Sequence, residues 1–303
     1  MRSCFMIKEL FYAANWYRKI KFGKKKIPLQ TVLFINEECN LQCVHCNVYK
    51  LDNPIVKSYK QIEEELLYSY RFGSRFVDFE GGEPLLWRDG DYSLNDLLIL
   101  AKKIGFFSTT VTTNAQLPFA HIQPDSIWVS MDGLCEYHDA VRGVGAFEKL
   151  EKNIADSNHK SLSVNMVINS KNYTNVEETI KYVKNNPHIR SISFNFYTPY
   201  DDKKLLFLDW ELRAQVIDTI IYMKKKGYPI MNSMSGLKLM KGNDFKKCCW
   251  ITNFILPDGS RLAECPGKKA GICDLCGFCM AGEMYSVFNF KFDTLFAGIK
   301  LRF

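Results

Sequence analysis

No stretch of this 303-residue chain stays apolar for long enough to cross a bilayer as a helix. The first residues also read without a secretory signal, because Lys8 and Glu9 interrupt the place where its apolar region would run. There is no nucleic-acid-binding motif, no low-complexity tract and no internal repeat beyond an alternation of strands and helices. Hydrophobic residues make up 47% of the chain, enough buried apolar surface to exclude a disordered polymer. These absences predict a cytoplasmic globular protein, long enough for one large α/β domain or a domain plus a small appendage.

Cysteine is what the chain has in quantity, 11 in all. In a reducing compartment cysteine clusters read as metal-binding or catalytic before they read as disulfides. The 22 Phe, 15 Tyr and 5 Trp suit lined cavities or contact surfaces. Net charge is +7, and residues 18–26 (RKIKFGKKK) carry six basic side chains. Such a run is either a solvated helix end or an attraction to an anionic membrane surface or substrate. It closes a helical pattern over 5–22, where Ile7, Leu10, Phe11, Ala14 and Tyr17 recur at helical spacing. Tyr12, Trp16, Ile20 and Phe22 widen the apolar side, and Gly23 and Pro28 end it. Two placements follow: a helix peripheral in a membrane interface, or one packed across the bottom of a barrel.

From residue 31 the pattern alternates. Strands are predicted over 31–36, 75–84, 106–114, 126–133, 161–169 and 191–199, and helices over 59–73, 94–105, 147–157, 175–186 and 209–227. Six β/α steps with crossover helices imply a parallel sheet, either an incomplete barrel or an open doubly wound sheet. Either way, functional groups collect at the C-terminal ends of the strands. The loop with Cys39, Cys43 and Cys46 follows the first strand, GGEP (81–84) the second, TTN (112–114) the third and SMDG (130–133) the fourth. After about residue 236 the alternation stops. Residues 248–265 read as a hairpin turning at ProAspGly 257–259, residues 271–283 as a cysteine knuckle, and a short helical tail follows. The chain thus divides into an N-terminal helix (1–30), an α/β body (31–235) and a small C-terminal cysteine-rich extension (236–303).

Cys39, Cys43 and Cys46 form a Cys-x3-Cys-x2-Cys frame. A structural zinc ion takes four ligands, and so does a fully ligated [4Fe–4S] cluster. Three thiolates would hold three irons and leave the fourth open, as catalytic metal sites do. Zinc with His45 or a late cysteine as fourth ligand is the alternative. This frame, followed by GGEP, resembles the radical S-adenosylmethionine (radical SAM) superfamily over about residues 31–200. The resemblance implies a partial (β/α)6 TIM-like barrel, a [4Fe–4S] cluster, and S-adenosylmethionine chelated at the open iron. It also implies an electron donor such as flavodoxin or ferredoxin, and reductive cleavage to a 5′-deoxyadenosyl radical that acts on a substrate. Implied cofactor contacts are His45 near the adenine, Gly81, Gly82, Glu83 and Pro84 toward the ammonium group, Asn114 in a further binding segment, Ser130 and Asp132 toward the ribose, Arg142 toward the carboxylate, and Asn165 and Asn169 on the fifth strand. Glycines allow a close backbone approach, and an arginine fork suits a carboxylate. No side chain is singled out as catalytic.

The late cysteines are similar in arrangement to the Twitch and SPASM extensions of radical SAM enzymes, which hold auxiliary [4Fe–4S] clusters. The resemblance implies one such cluster on Cys249, Cys265, Cys273 and Cys276, with Cys248 and Cys279 as alternates; a structural zinc ribbon is the competing reading. Cys4 and Cys135 are isolated. Cys276, Gly277, Phe278 and Glu283 also resemble the C-terminal part of hopanoid adenosyltransferases, which implies a lipid substrate. Three functions are carried forward: a radical enzyme acting on a lipid or other membrane-associated molecule, a radical maturase of a peptide or protein, and a non-catalytic zinc-binding interaction protein.

Overall fold

The structure, a computed structural model, describes residues 2–23, 25–46, 52–200, 204–262 and 264–295. Lys24 and the side chains of Cys4, Ile7 and Leu10 lie outside the described part. Ten strands are described: β1 (Gln30–Phe34), β2 (Phe76–Glu80), β3 (Arg88–Asp89), β4 (Tyr92–Ser93), β5 (Ser108–Thr113), β6 (Ser126–Ser130), β7 (Leu162–Ile168), β8 (Ser191–Phe196), β9 (Thr252–Ile255) and β10 (Arg261–Leu262). The helices are α1 (Arg2–Lys21), α2 (Tyr59–Phe72), α3 (Leu94–Ile104), α4 (Cys135–Arg142), α5 (Ala146–Ser157), α6 (Val176–Asn185), α7 (Trp210–Lys225), α8 (Met234–Gly242), α9 (Pro266–Lys269) and α10 (Met280–Phe288).

The eight-stranded sheet runs β10-β9-β1-β2-β5-β6-β7-β8, and β1, β2, β5, β6, β7 and β8 are mutually parallel. This is the mostly parallel α/β arrangement of a partial TIM-like barrel. The local signals are ordinary ones. Ser58 caps α2 reciprocally with Gln61, and Gly73, at φ 125°, ends that helix in a conformation a Cβ would strain. Alternate strand residues such as Leu33, Val77, Phe79, Val111, Val129, Val164 and Phe194 join one core with Ile62, Leu66, Leu97, Leu150, Ile180 and Ile217 of the surrounding helices.

Three elements differ from the sequence reading. The strands stop two to four residues before most of the predicted ends, because the last residues peel away into the loops that build the site. Residues 135–142, where the sequence offered only Arg142 as a binding residue, form α4, and 234–242 form α8. The C-terminal hairpin does not stand apart: β9 pairs in parallel with β1 and β10 closes the edge antiparallel to β9. A short parallel strand has no sequence signal for its partner, so only the assembled sheet reveals this pairing.

Helix α1 lies against the N-terminal edge of the sheet, opposite the cysteine loop. The Tyr12 hydroxyl donates to the Gly73 carbonyl, Trp16 Nε1 donates to the Ile27 carbonyl at 2.9 Å, and Tyr17 stacks on Phe288. Trp16 is 6% exposed whereas Phe11 is 74% exposed, so most of the aromatic face is turned into the protein. Trp16→Ala is expected to lower stability by about 3 kcal/mol, read in thermal melts, and Phe11→Ala to leave it within about 0.5 kcal/mol. Equal melts for both variants would show that α1 is not docked. No helix among the described residues is long and apolar enough to cross a membrane.

Candidate functional site

The cysteine loop leaves β1 and is bound to the turn after β2 along their backbones. The Gly82 amide donates to Asn36 O at 2.9 Å and the Glu83 amide to Glu38 O at 2.7 Å, while Asn36 Nδ2 donates to Glu83 O at 3.1 Å. A Cβ on Gly81 would stand 2.2 Å from Asn36 Oδ1, and one on Gly82 2.1 Å from Glu38 O. Both glycines therefore serve a contact within the chain, the close seating of the cysteine loop. Glu83 is fully buried; Oε1 accepts from the Leu85 amide and the Thr113 hydroxyl, and Oε2 accepts from the Asn114 amide. Burial pushes this carboxyl up to about 6, against those hydrogen bonds. Pro84 is buried at the start of a short 3-10 turn. Asn114, fixed by Glu83, sends Nδ2 to Asn40 Oδ1 at 2.7 Å and toward Cys39 Sγ at 3.8 Å. Glu83 thus ties the ends of β2 and β5 to the first cysteine.

The far side of the loop rests on α4. The Val44 amide donates to Val141 O at 2.9 Å, and Arg142 places Nη1 3.8 Å from Cys43 Sγ. The same guanidinium gives Nε to Asp132 Oδ2 at 2.7 Å, a pair buried on both sides. Asp132 Oδ1 accepts from the Val167 amide. Each carboxylate oxygen can accept a second hydrogen bond, which is the capacity left for a ligand. Burial pushes Asp132 up, but Arg142, His45, His138 and the Val167 amide together hold it below the usual carboxylate range. His138 accepts the Asp132 amide on Nδ1, so its neutral ring carries the proton on Nε2, and burial depresses it to about 4. Burial also raises Cys43 to about 11, with Arg142 opposing.

Ser130 and Asn165 face each other in register on β6 and β7. Asn169 is turned inward, its side chain donating to Val167 O and accepting from the Lys171 amide. The sheet face opposite the helices carries a series of paired polar side chains between apolar ones such as Val32, Phe34, Phe76 and Trp128. Gln30 bonds Asp78, Thr110 bonds Ser126 at 3.0 Å, Ser163 bonds Ser191 at 2.9 Å, and Asn195 Nδ2 donates to Asn165 Oδ1 at 3.0 Å. On the same face Glu80 is pushed to about 7 by burial and by Asp78. Apart from Asn165 these residues went unnoticed in the sequence, although the alternation of polar with apolar positions in β2 and β7 carries the signal.

The structure brings Cys249, Cys265, Cys273 and Cys276 into electrostatic reach of one another. Cys249 and Cys265 share a thiol hydrogen bond, which with the Lys268 and Gly267 amides holds the Cys265 thiol below its ordinary value. Cys248 lies among Lys246 and Lys26 instead, and Cys279 is buried beneath Cys276. The knuckle sits on the end of β8: the Phe196 amide donates to Gly277 O, the Cys279 amide to Asn195 Oδ1, and a Cβ on Gly277 would stand 1.8 Å from Phe196 O. Glu283 accepts the Ser233 amide at the start of α8. Gly277 and Glu283 therefore have internal structural roles.

Among the described residues no three His, Cys, Asp or Glu side chains converge closely enough to hold a single metal ion. An iron–sulfur cluster instead takes one thiolate on each iron, and the donor chemistry fits it: three thiols in one loop beside a guanidinium, and four thiols in the C-terminal group.

Three thiols in one loop at the C-terminal mouth of a partial parallel barrel could each take one iron of a cluster and leave a further iron open. Residues 33–183, about half of the chain, match the family model of the Radical SAM superfamily, and the chain belongs to that superfamily. Its cofactors are accordingly a [4Fe–4S] cluster and S-adenosylmethionine. It is similar to Fe-coproporphyrin III synthase of Methanosarcina barkeri, 25% identical over 74% of this chain and 61% of that protein. Other curated relatives it matches are covered over 38–57% of their length. In fold it resembles Streptococcus suis SuiB bound to S-adenosylmethionine, with TM-score 0.64, 19% identity, and 80% of this chain and 61% of that one covered. It also resembles anSMEcpe bound to S-adenosylmethionine and a peptide, with TM-score 0.60, 19% identity, and 79% and 74% covered.

Proposed function

We propose that this chain is a two-cluster radical enzyme acting on a peptide or protein. The observation that carries the reading is the seating of Cys39, Cys43 and Cys46 at the mouth of the sheet, with Arg142 against Cys43 and paired polar side chains on the inner face below. When bound, the [4Fe–4S] cluster and S-adenosylmethionine supply reductive cleavage to a 5′-deoxyadenosyl radical. Cys39, Cys43 and Cys46 hold three irons. The remaining N–H of Arg142 is placed for a carboxylate, which its fork suits, and Asp132 keeps that fork oriented. Backbone groups of the GGEP turn, Asn114, Ser130 and His45 are the further contacts for the cofactor. Cys249, Cys265, Cys273 and Cys276 hold a second cluster. An acidic one-electron carrier of the flavodoxin or ferredoxin kind supplies the electron.

The substrate class rests on the inner face. Gln30 pairs with Asp78, Thr112 with Glu80 and Asn195 with Asn165 across this face, and their remaining donor and acceptor sites suit a polar substrate better than a polycyclic hydrocarbon. A peptide satisfies them. The peptide-bound anSMEcpe relative in fold agrees with this class. Against a lipid stands the docking of α1 through Tyr12, Trp16 and Tyr17; among its described side chains Phe11 is exposed, as is Phe22 just past its end.

Untargeted mass spectrometry of a deletion strain against its parent tests the substrate: a mass change lost from a peptide is expected, and a difference confined to the lipid fraction would overturn the class. For the second cluster, reconstituted protein is expected to hold about eight irons, falling to about four when Cys273 and Cys276 are replaced by alanine. A wild-type content near four irons with one zinc would show a structural zinc ribbon there.

A further inference from the structure

Arg213, on α7, is fully buried. Its guanidinium lies over the rings of both Phe196 and Trp210, 4.6 Å from each centroid. Nη2 donates to the Cys276 carbonyl at 2.7 Å, while Nε and Nη1 are buried with no hydrogen-bond partner. No carboxylate among the described residues pairs with it; the ionisable groups that act on it are the Cys279 and Cys276 thiols. A buried cation without a counter-charge costs several kcal/mol or more, so the fold would not retain one there unless an anion belonged beside it. Thiols in their neutral form supply none. A cluster held by four thiolates does.

We infer that Arg213 is the buried counter-cation of an iron–sulfur cluster at Cys249, Cys265, Cys273 and Cys276, and that it raises the reduction potential of that cluster. This rests on the second cluster proposed above. The direction follows from charge. Reduction adds one negative charge to the cluster, and a fixed cation in a low-dielectric pocket stabilises the reduced form more than the oxidised form. Two buried N–H groups without partners are also available to the cluster's sulfurs, and such hydrogen bonds move the potential the same way. Phe196 and Trp210 shield the guanidinium from water and hold it by cation–π contact. Arg213 is a positioning and tuning residue and touches no reacting atom.

The test uses the full chain with Cys39, Cys43 and Cys46 replaced by alanine, so that only the second cluster titrates. Its midpoint potential is measured by EPR-monitored redox titration after anaerobic reconstitution, with Arg213, Arg213→Met and Arg213→Lys. Arg213→Met is expected to lower the reduction equilibrium constant at least tenfold, ~59 mV for a one-electron couple. Arg213→Lys keeps the charge and is expected to stay within about threefold of the parent, ~28 mV on the same scale. A potential unchanged in Arg213→Met overturns the inference while leaving the second cluster in place. Loading of Arg213→Lys but not Arg213→Met supports a requirement for charge; failure of both to load, with the parent loaded, assigns Arg213 a packing role and overturns it. A parent that binds zinc or no metal removes the second cluster, and the inference with it.

Discussion

With Cys39, Cys43 and Cys46 replaced together by alanine, production of 5′-deoxyadenosine from S-adenosylmethionine is expected to fall to background while the chain still melts cooperatively. The three thiols lie in a loop at the mouth of the barrel, outside the hydrophobic core that holds sheet and helices together. The loop keeps its place through backbone bonds that the substitutions leave intact, Glu83 N to Glu38 O and Val44 N to Val141 O. Each substitution removes one sulfur, and with all three gone no protein ligand in this loop can hold a cluster. Liquid chromatography with mass spectrometry of anaerobic, reduced reactions measures the product. Cleavage at the wild-type rate in the triple variant would refute the assignment of this loop.

The second large effect concerns Arg142. Arg142→Met leaves the fully buried Asp132 carboxylate with its Val167 hydrogen bond but without its ion-pair partner. Removing one member of a buried pair costs about 3–5 kcal/mol, because the other charge stays buried uncompensated. Asp132→Asn in the Arg142→Met background is expected to recover much of that loss, since it removes the orphaned charge. Denaturant melts of the four proteins form the cycle, and additive losses would mean that the pair is not coupled. The pH dependence has a definite sign. Asp132 is held below its ordinary value in the folded protein, so the pair's stabilisation is present above the unfolded aspartate value of ~3.9 and is lost as pH falls through the folded value. Arg142 is raised by Asp132 despite its burial, and it stays charged throughout this range. Arg142→Met should therefore flatten the acid limb of the stability profile.

The parts of the site legible in the sequence are those whose chemistry is local. The Cys-x3-Cys-x2-Cys spacing, the GGEP turn and the late cysteines stand out because residue type and short spacing carry the meaning. Glu83 shows where that reading stops. The motif marks it as a candidate ligand contact, but which groups meet its two oxygens depends on β5 lying beside β2. Gly82 is similar: its need for a hydrogen in place of a side chain comes from Glu38, 44 residues earlier and brought near by the β1–β2 pairing.

By itself the sequence determined the alternation of strands and helices, the parallel sheet, the edge at which the cysteine loops gather and the family. Hydrophobic period and motif spacing are properties of neighbours along the chain, and they survive without a fold. Only the tertiary structure decided that the C-terminal hairpin extends the same sheet beside β1, that Asp132 and Arg142 hold each other against Cys43, that polar side chains pair across the inner face, and that Arg213 is buried without a carboxylate. Each of these joins residues tens to hundreds of positions apart. A burial or a pairing at that separation is a fact of packing, which no local pattern records.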